Sequence, residues 1–249
     1  MKNPKRVLAI FIALILVAGL GFAAFSFMRP SNIVQRIAGI SPDGSPPETI
    51  EGLRSAIGAY ESKVAETISA AAQAGIYWKI LAVRYMDRGM YGESLDALNS
   101  AVTYFPEDAT LHYLIGICAA VMSKSSYDYA GTGRNKEKER LLALAESAQK
   151  RAIALDSKYS RPLYALGVLL VFELDRAVEA VPYLERYLSM QTKDVDAMFI
   201  LARAYYVTGR RDESVTLYDR ILSLTKDEKK RTEAISNKKT VLDRQYGSK

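Results

Sequence analysis

The sequence predicts an all-α chain, a solenoid of helical repeats preceded by an N-terminal transmembrane helix. Two observations carry this. Small residues recur in register at Ala82, Gly116, Gly167 and Ala202, with a second set at Ser94, Ala145, Ala180 and Ser214. Antiparallel helices cannot approach closely if both carry bulk at their crossing, so paired small residues mark helix–helix contacts. The step from Ala82 to Gly116 is thirty-four residues, a spacing found in helix-pair repeats. The second observation is an uncharged run of apolar and small residues over 7–27. At about 1.5 Å per helical residue it matches a hydrocarbon core of roughly 30 Å.

Lys2, Lys5 and Arg6 stand before that run, and Arg29 and Arg36 follow it. Counting basic residues puts 1–6 in the cytoplasm and the rest of the chain beyond a bacterial inner membrane, as a single-pass, signal-anchored protein. A cleaved export signal is the alternative, with Ala24 and Ser26 offering a site, but such signals have apolar cores of about 7–15 residues. The only cysteine, Cys118, lies far downstream, which argues against lipid attachment at this end and excludes an internal disulfide. Residues 28–48 hold Pro30, Pro42, Gly44, Pro46 and Pro47 and read as a linker. A helix is predicted over 49–74, with apolar positions Ile50, Leu53, Ile57, Tyr60 and Val64 in alternating three- and four-residue steps. The seam falters at Thr67, so the helix either caps the first repeat or pairs with its twin in a dimer.

In the stretch 75–108 stand Trp78, Leu81, Ala82, Tyr85, Gly89, Tyr91, Ser94, Leu98, Ala101 and Pro106. These residues, at these offsets, resemble the tetratricopeptide repeat (TPR) family, whose unit is a helix–turn–helix. Leu201, Ala202, Tyr205, Gly209, Ser214, Tyr218 and Ile221 repeat the pattern near the C-terminus. The resemblance implies a right-handed solenoid of four repeats over 75–108, 109–159, 160–194 and 195–228, closed by a capping helix over 227–244. Two irregularities break the frame. An insertion at about 123–135 separates longer helices in the second repeat, and one extra residue falls in the turn near Asp175. Gly131 and Gly133 in the insertion do not make a phosphate-binding loop, because the Gly-Lys-Ser/Thr ending and a preceding strand are both missing. Tyr187 and Ile221 replace the usual Ala late in the third and fourth repeats.

Candidates for chemistry are few. His112 is the only histidine, at an offset filled elsewhere by Trp78, Leu163 and Met198, so it reads as a packing side chain. No catalytic residue, cofactor or metal site is predicted, since a His/Cys site needs several donors and only His112 and Cys118 exist. The formal charge is +6, but part of it belongs to the membrane flank. The C-terminal lysines are diluted by Asp227, Glu228, Glu233 and Asp243, so no nucleic-acid partner is expected.

In the family, particular positions of each first helix line a concave groove that holds a protein or peptide. Carried over by register, the first repeat supplies Ile76, Lys79, Val83, Met86 and Asp87. The second supplies Thr110, Tyr113, Ile117, Ala120 and Val121. Arg161, Tyr164, Val168, Val171 and Phe172 come from the third, and Asp196, Phe199, Arg203, Tyr206 and Val207 from the fourth. The strongest candidates among them are Lys79, Val83, Met86, Tyr113, Ile117, Arg161, Tyr164, Val168, Phe199, Arg203 and Tyr206. Family members that grip chaperone C-termini pair Lys with Asn at the positions held by Lys79 and Val83, so the valine argues against that clamp. The expectation is a non-enzymatic, membrane-tethered adaptor or holder for a protein partner, with a self-associating scaffold as the alternative.

Overall fold

The computed structural model describes residues 49–126 and 135–246. Every regular element among them is an α-helix: α1 (Ile50–Asp87), α2 (Tyr91–Tyr104), α3 (Ala109–Ser125), α4 (Lys136–Leu155), α5 (Ser160–Phe172), α6 (Ala177–Met190), α7 (Val195–Val207), α8 (Arg211–Leu224) and α9 (Glu228–Tyr246). Contacts divide the chain into two units, 1–69 and 70–249, and the boundary falls within α1. In the second unit the principal packing runs between helices one or two places apart in the chain: α2 on α3, α3 on α4, and onward to α8 on α9.

The helix pairs meet where the small residues predicted. Ala82, Ala202, Ser94, Ala145, Ala180 and Ser214 are all completely buried. The structure adds a polar link at two of these crossings. Ser94 Oγ donates to the Ala82 carbonyl at 2.9 Å, and Ser214 Oγ donates to the Ala202 carbonyl at 2.8 Å. A hydroxyl buried without a partner costs stability, and each serine finds its acceptor on the helix it packs against. At the other crossings a glycine makes the room. A Cβ on Gly116 would lie 2.3 Å from Gln149 Nε2, and one on Gly167 would lie 2.4 Å from Leu184 Cδ2.

Turns inside the helix pairs explain the extra residue. Between α1 and α2, and between α7 and α8, the chain reverses through Gly89 (φ 72°) and Gly209 (φ 82°). Glycine takes this left-handed conformation without steric penalty. Between α5 and α6 the turn covers 173–176, one residue longer, and Asp175 adopts φ 52° instead. Asp and Asn are among the few other residues that visit this region. In the second pair the helices are lengthened to 17 and 20 residues, against 13 or 14 in α5 to α8. Tyr127 and Tyr129 of the insertion lie outside the described residues.

Asp108 shows how side chains hold the joints. Its Oδ1 accepts from the Thr110 N–H at 2.8 Å and so caps α3, while Oδ2 accepts from Lys79 Nζ at 2.5 Å. Burial pushes this carboxyl's pKa up, but the bonds from Lys79 and the α3 amides outweigh burial and hold it below its ordinary value. Asp194 does the same work at α7, accepting from the Ala197 N–H at 3.0 Å and from the Tyr187 hydroxyl at 2.6 Å.

Two expectations are corrected here. The predicted break near residue 74 does not occur, and α1 runs unbroken for 38 residues. Gly75 alone weakens a helix by only about 1 kcal/mol relative to Ala, and no proline stands nearby to stop it. The membrane address is withdrawn as well. Among the described residues, no helix is long and apolar enough to cross a membrane. Apolar α5 has only 13 residues, and long α1 carries Glu51, Arg54, Glu61, Lys63, Glu66, Lys79 and Arg84. The apolar run at 7–27 and the linker at 28–48 lie outside the described residues.

Candidate functional site

The first helices of the second, third and fourth pairs line two adjoining clefts. One, of about 340 Å³, is walled by Tyr113, Ile117, Ala120 and Val121 of α3 and by Tyr164, Val168 and Phe172 of α5. The other, of about 290 Å³, is lined by Phe199, Arg203 and Tyr206 of α7 and closed by Glu233, Asn237 and Val241 of α9. Phe172 borders both, and it is 49% exposed.

Aromatic contacts fix the walls. The Tyr113 ring meets Tyr159 edge-on at 5.4 Å, and Tyr164 lies 5.2 Å from Tyr187. Phe199 stands 6.1 Å from Tyr218, and the Arg203 guanidinium sits 5.2 Å over Phe172. Aromatic pairs at such separations add about 0.5–1.5 kcal/mol beyond area burial. Burial raises the pKa of the Tyr113 and Tyr164 phenols above the ordinary value, so both stay neutral around neutrality. Behind the second cleft, Tyr205 donates to Glu185 Oε1 at 2.6 Å and lies under Arg210, and burial together with that bond pushes its pKa up to about 12. At the mouth of the first cleft, Glu173 lies 3.7 Å from both Lys124 Nζ and Lys138 Nζ, so α3, α4 and the end of α5 share one charge cluster.

The residues singled out in the sequence divide into three groups. Tyr113, Ile117, Tyr164 and Val168 share the first cleft, and Phe199, Arg203 and Tyr206 share the second. Lys79, Val83, Met86 and Arg161 line neither. Lys79 is committed to Asp108, so its ammonium joins α1 to the start of α3. Arg161 is exposed at the edge of the Tyr113–Tyr159 pair. Val171, assigned to the groove by register, is only 7% exposed and belongs to the core. His112 is half-buried, and its Nε2 donates to the Pro106 carbonyl at 2.8 Å. Cys118 is fully buried, donates to Ser94 Oγ at 3.5 Å, and has its pKa raised by burial, so it stays a thiol. Among the described residues no group of His, Cys, Asp and Glu is arranged to hold a metal ion.

Two features of the clefts escaped the sequence. One is the contribution of α9, whose inward residues wall the second cleft. The other is Gln149 on α4, in the floor of the first. The signal for Gln149 was present: it stands four residues after Ala145, where the other repeats place Leu98, Leu184 and Tyr218.

A ladder of helix pairs with first helices lining a cleft defines a helical-repeat protein. A family model for the tetratricopeptide repeat matches residues 171–232. A "TPR repeat-containing protein" of Borreliella burgdorferi is 20% identical over 192 residues, covering 76% of this chain and 80% of that protein. Among solved structures the chain is similar to YrrB, described as a TPR protein with an unusual peptide-binding site, with a TM-score of 0.59 at 17% identity over 74% of this chain and 84% of that one. It is also similar to MamA, with a TM-score of 0.52 at 22% identity over 72% of this chain and 84% of that one. MamA from Desulfovibrio magneticus gives a TM-score of 0.54 at 15% identity, over 70% and 97%. Residues 171–232 are thus tetratricopeptide repeat sequence, and the chain shares the fold of tetratricopeptide repeat proteins.

Proposed function

We propose that the chain is a non-catalytic scaffold that holds an apolar segment of a protein partner in the clefts along α3, α5 and α7. The observation that carries this reading is the pair of adjoining clefts sharing the half-exposed Phe172, the first walled mainly by apolar and aromatic side chains and the second by aromatics together with Arg203, Glu233 and Asn237. An exposed aromatic between two concave sites is the kind of group that becomes a binding hot spot. YrrB, of like fold, has a peptide-binding site by its own description, which supports the same kind of work here. Arg203 is placed to meet a carboxylate of the partner, since among the described residues none pairs with it within the ion-pair distances seen elsewhere in the chain. The test is a photo-crosslinking amino acid placed at Phe172 in the native host. Adducts with a defined partner are expected there and not from Val178, which is 73% exposed on α6. Equal labelling from both positions would place partner contact elsewhere.

A second reading, self-association, has its own observation. Ile50, Leu53, Ile57, Tyr60 and Val64 of α1 are between 42% and 67% exposed, in alternating three- and four-residue steps that fit the seam of paired helices. Sedimentation equilibrium of the full chain separates the readings. A concentration-dependent dimer abolished by Ile57→Asp with Val64→Asp supports self-association, and a monomer at all concentrations removes it.

A further inference from the structure

The apolar seam at the start of α1 carries charges that complement one another across a two-fold axis. Ile50, Leu53, Ile57, Tyr60, Val64 and Thr67 follow in alternating three- and four-residue steps, and the five apolar members are exposed. Arg54 directly follows Leu53 and Glu61 directly follows Tyr60, so both charges lie on the same flank of the seam. Both are exposed, and neither has an ion partner among the described residues. The opposite flank holds Ala56, which is buried, and Lys63, which Glu66 engages within the helix at 3.0 Å. That side therefore offers little to steer a second helix. Thr67 ends the seam. Its hydroxyl already donates to the Lys63 carbonyl at 2.9 Å, so covering it buries no unpaired donor.

We infer that two copies of the chain pair antiparallel along this seam, with Arg54 of each copy against Glu61 of the other. The inference rests on the self-association reading and gives it an orientation. In paired helices the residues flanking the apolar seam form the interhelical ion pairs that choose orientation. Antiparallel, Ile57 packs on Tyr60 of the second copy, Leu53 on its Val64 and Ile50 on its Thr67. The two-fold axis repeats each contact, so every seam residue is covered and Thr67 falls at the two ends. The same register sets Arg54 beside Glu61 twice. In a parallel pair, like residues face each other, and Thr67 would meet Thr67 of the second copy. The flanks would then bring Glu61 to Ala56 and Arg54 to Thr49, and neither charge would gain a partner.

The test exchanges these charges in the full chain and follows dimerisation by sedimentation equilibrium, with circular dichroism as the check on folding. Arg54→Glu alone and Glu61→Arg alone each place two like-charge contacts across the antiparallel seam and are expected to weaken the homodimer about tenfold. An equal mixture of the two variants restores opposite charges at both contacts, as does the double exchange within one chain. Both are expected to return to within about threefold of the native dissociation constant. Oxidation gives an independent reading of orientation. Leu53→Cys mixed with Val64→Cys is expected to form a mixed disulfide, and Leu53→Cys alone is expected to form none, while the buried Cys118 takes no part. A native dimer that ignores the charge variants, or a Leu53→Cys chain that links to itself, overturns the antiparallel arrangement and leaves self-association standing. A native chain that stays monomeric at every concentration removes both.

Discussion

Gly167→Leu is expected to cost at least about 3 kcal/mol, the upper end of ordinary overpacking, and to lower the melting temperature by roughly 6–12 °C for a chain of this size. Gly167 is buried on α5 against Leu184 of α6, and even a Cβ there would sit 2.4 Å from Cδ2 and 2.6 Å from Cγ of Leu184. Leu184 is fully buried and cannot swing into solvent. To admit a side chain the two helices must separate, and α6 is tied in turn to α7 by Tyr187 and Asp194. A double-mutant cycle isolates the cause. In Gly167→Ala with Leu184→Ala the clash disappears and part of the loss is recovered. Strict additivity of the two single losses would show that the crossing is not the source of the strain.

Asp194→Ala is the second large effect, expected at about 2–4 kcal/mol. Loss of an N-cap costs about 0.5–2 kcal/mol, and loss of a hydrogen bond to a charged group about 1.5–3 kcal/mol, with some overlap between them. The variant leaves the Ala197 N–H uncapped and the Tyr187 hydroxyl without its acceptor. Asp194→Asn keeps an oxygen for the Ala197 N–H, and its NH₂, in place of Oδ2, can donate to the Tyr187 hydroxyl oxygen, so it should retain more stability than Asp194→Ala, which a urea titration of the two variants can show. A pH signature accompanies this. Burial, then the bond to Asp194, raises the Tyr187 pKa. A raised folded-state value favours the neutral phenol, so its contribution is complete below the ordinary tyrosine pKa of about 10 and is lost as pH climbs above it. Asp194→Ala should flatten that alkaline loss in part, because burial of the ring persists. An unchanged alkaline limb would assign the loss to other tyrosines.

Much of the architecture was legible because close packing leaves a simple trace. The small residues at Ala82, Gly116, Gly167 and Ala202 fixed the register of four helix pairs, and the spare residue near Asp175 could be placed by counting. What escaped was set by tertiary partners. Lys79 looked like a free cation in a groove, and only the fold shows that Asp108 takes it. Val171 shares the apolar character of its cleft neighbours, but its side of α5 faces the core. The length of α1 was missed because Gly75 looked like a boundary, while the helix needed only modest packing against Tyr104 and Phe105 to run through it. Gln149 escaped because it stands on the second helix of its pair, and only the first helices carry the register positions assigned to the groove. Its mismatch with Leu98, Leu184 and Tyr218 was visible in the register all along.

Packing that runs between helices close in sequence has a kinetic and a thermodynamic side. Each contact closes only a short loop, so the entropy lost before a contact forms is small and assembly can begin at any pair and spread to its neighbours. Stability then behaves as a sum of local terms along a line. An injury such as a forced α5–α6 crossing weakens its own segment first and fades with distance, so partial openings outnumber global ones. The ends, with one neighbour instead of two, fray most readily. Among the described residues α9 packs chiefly on α8, so the second cleft, which it closes, is expected to open at lower free energy than the first, which is flanked by helix pairs on both sides.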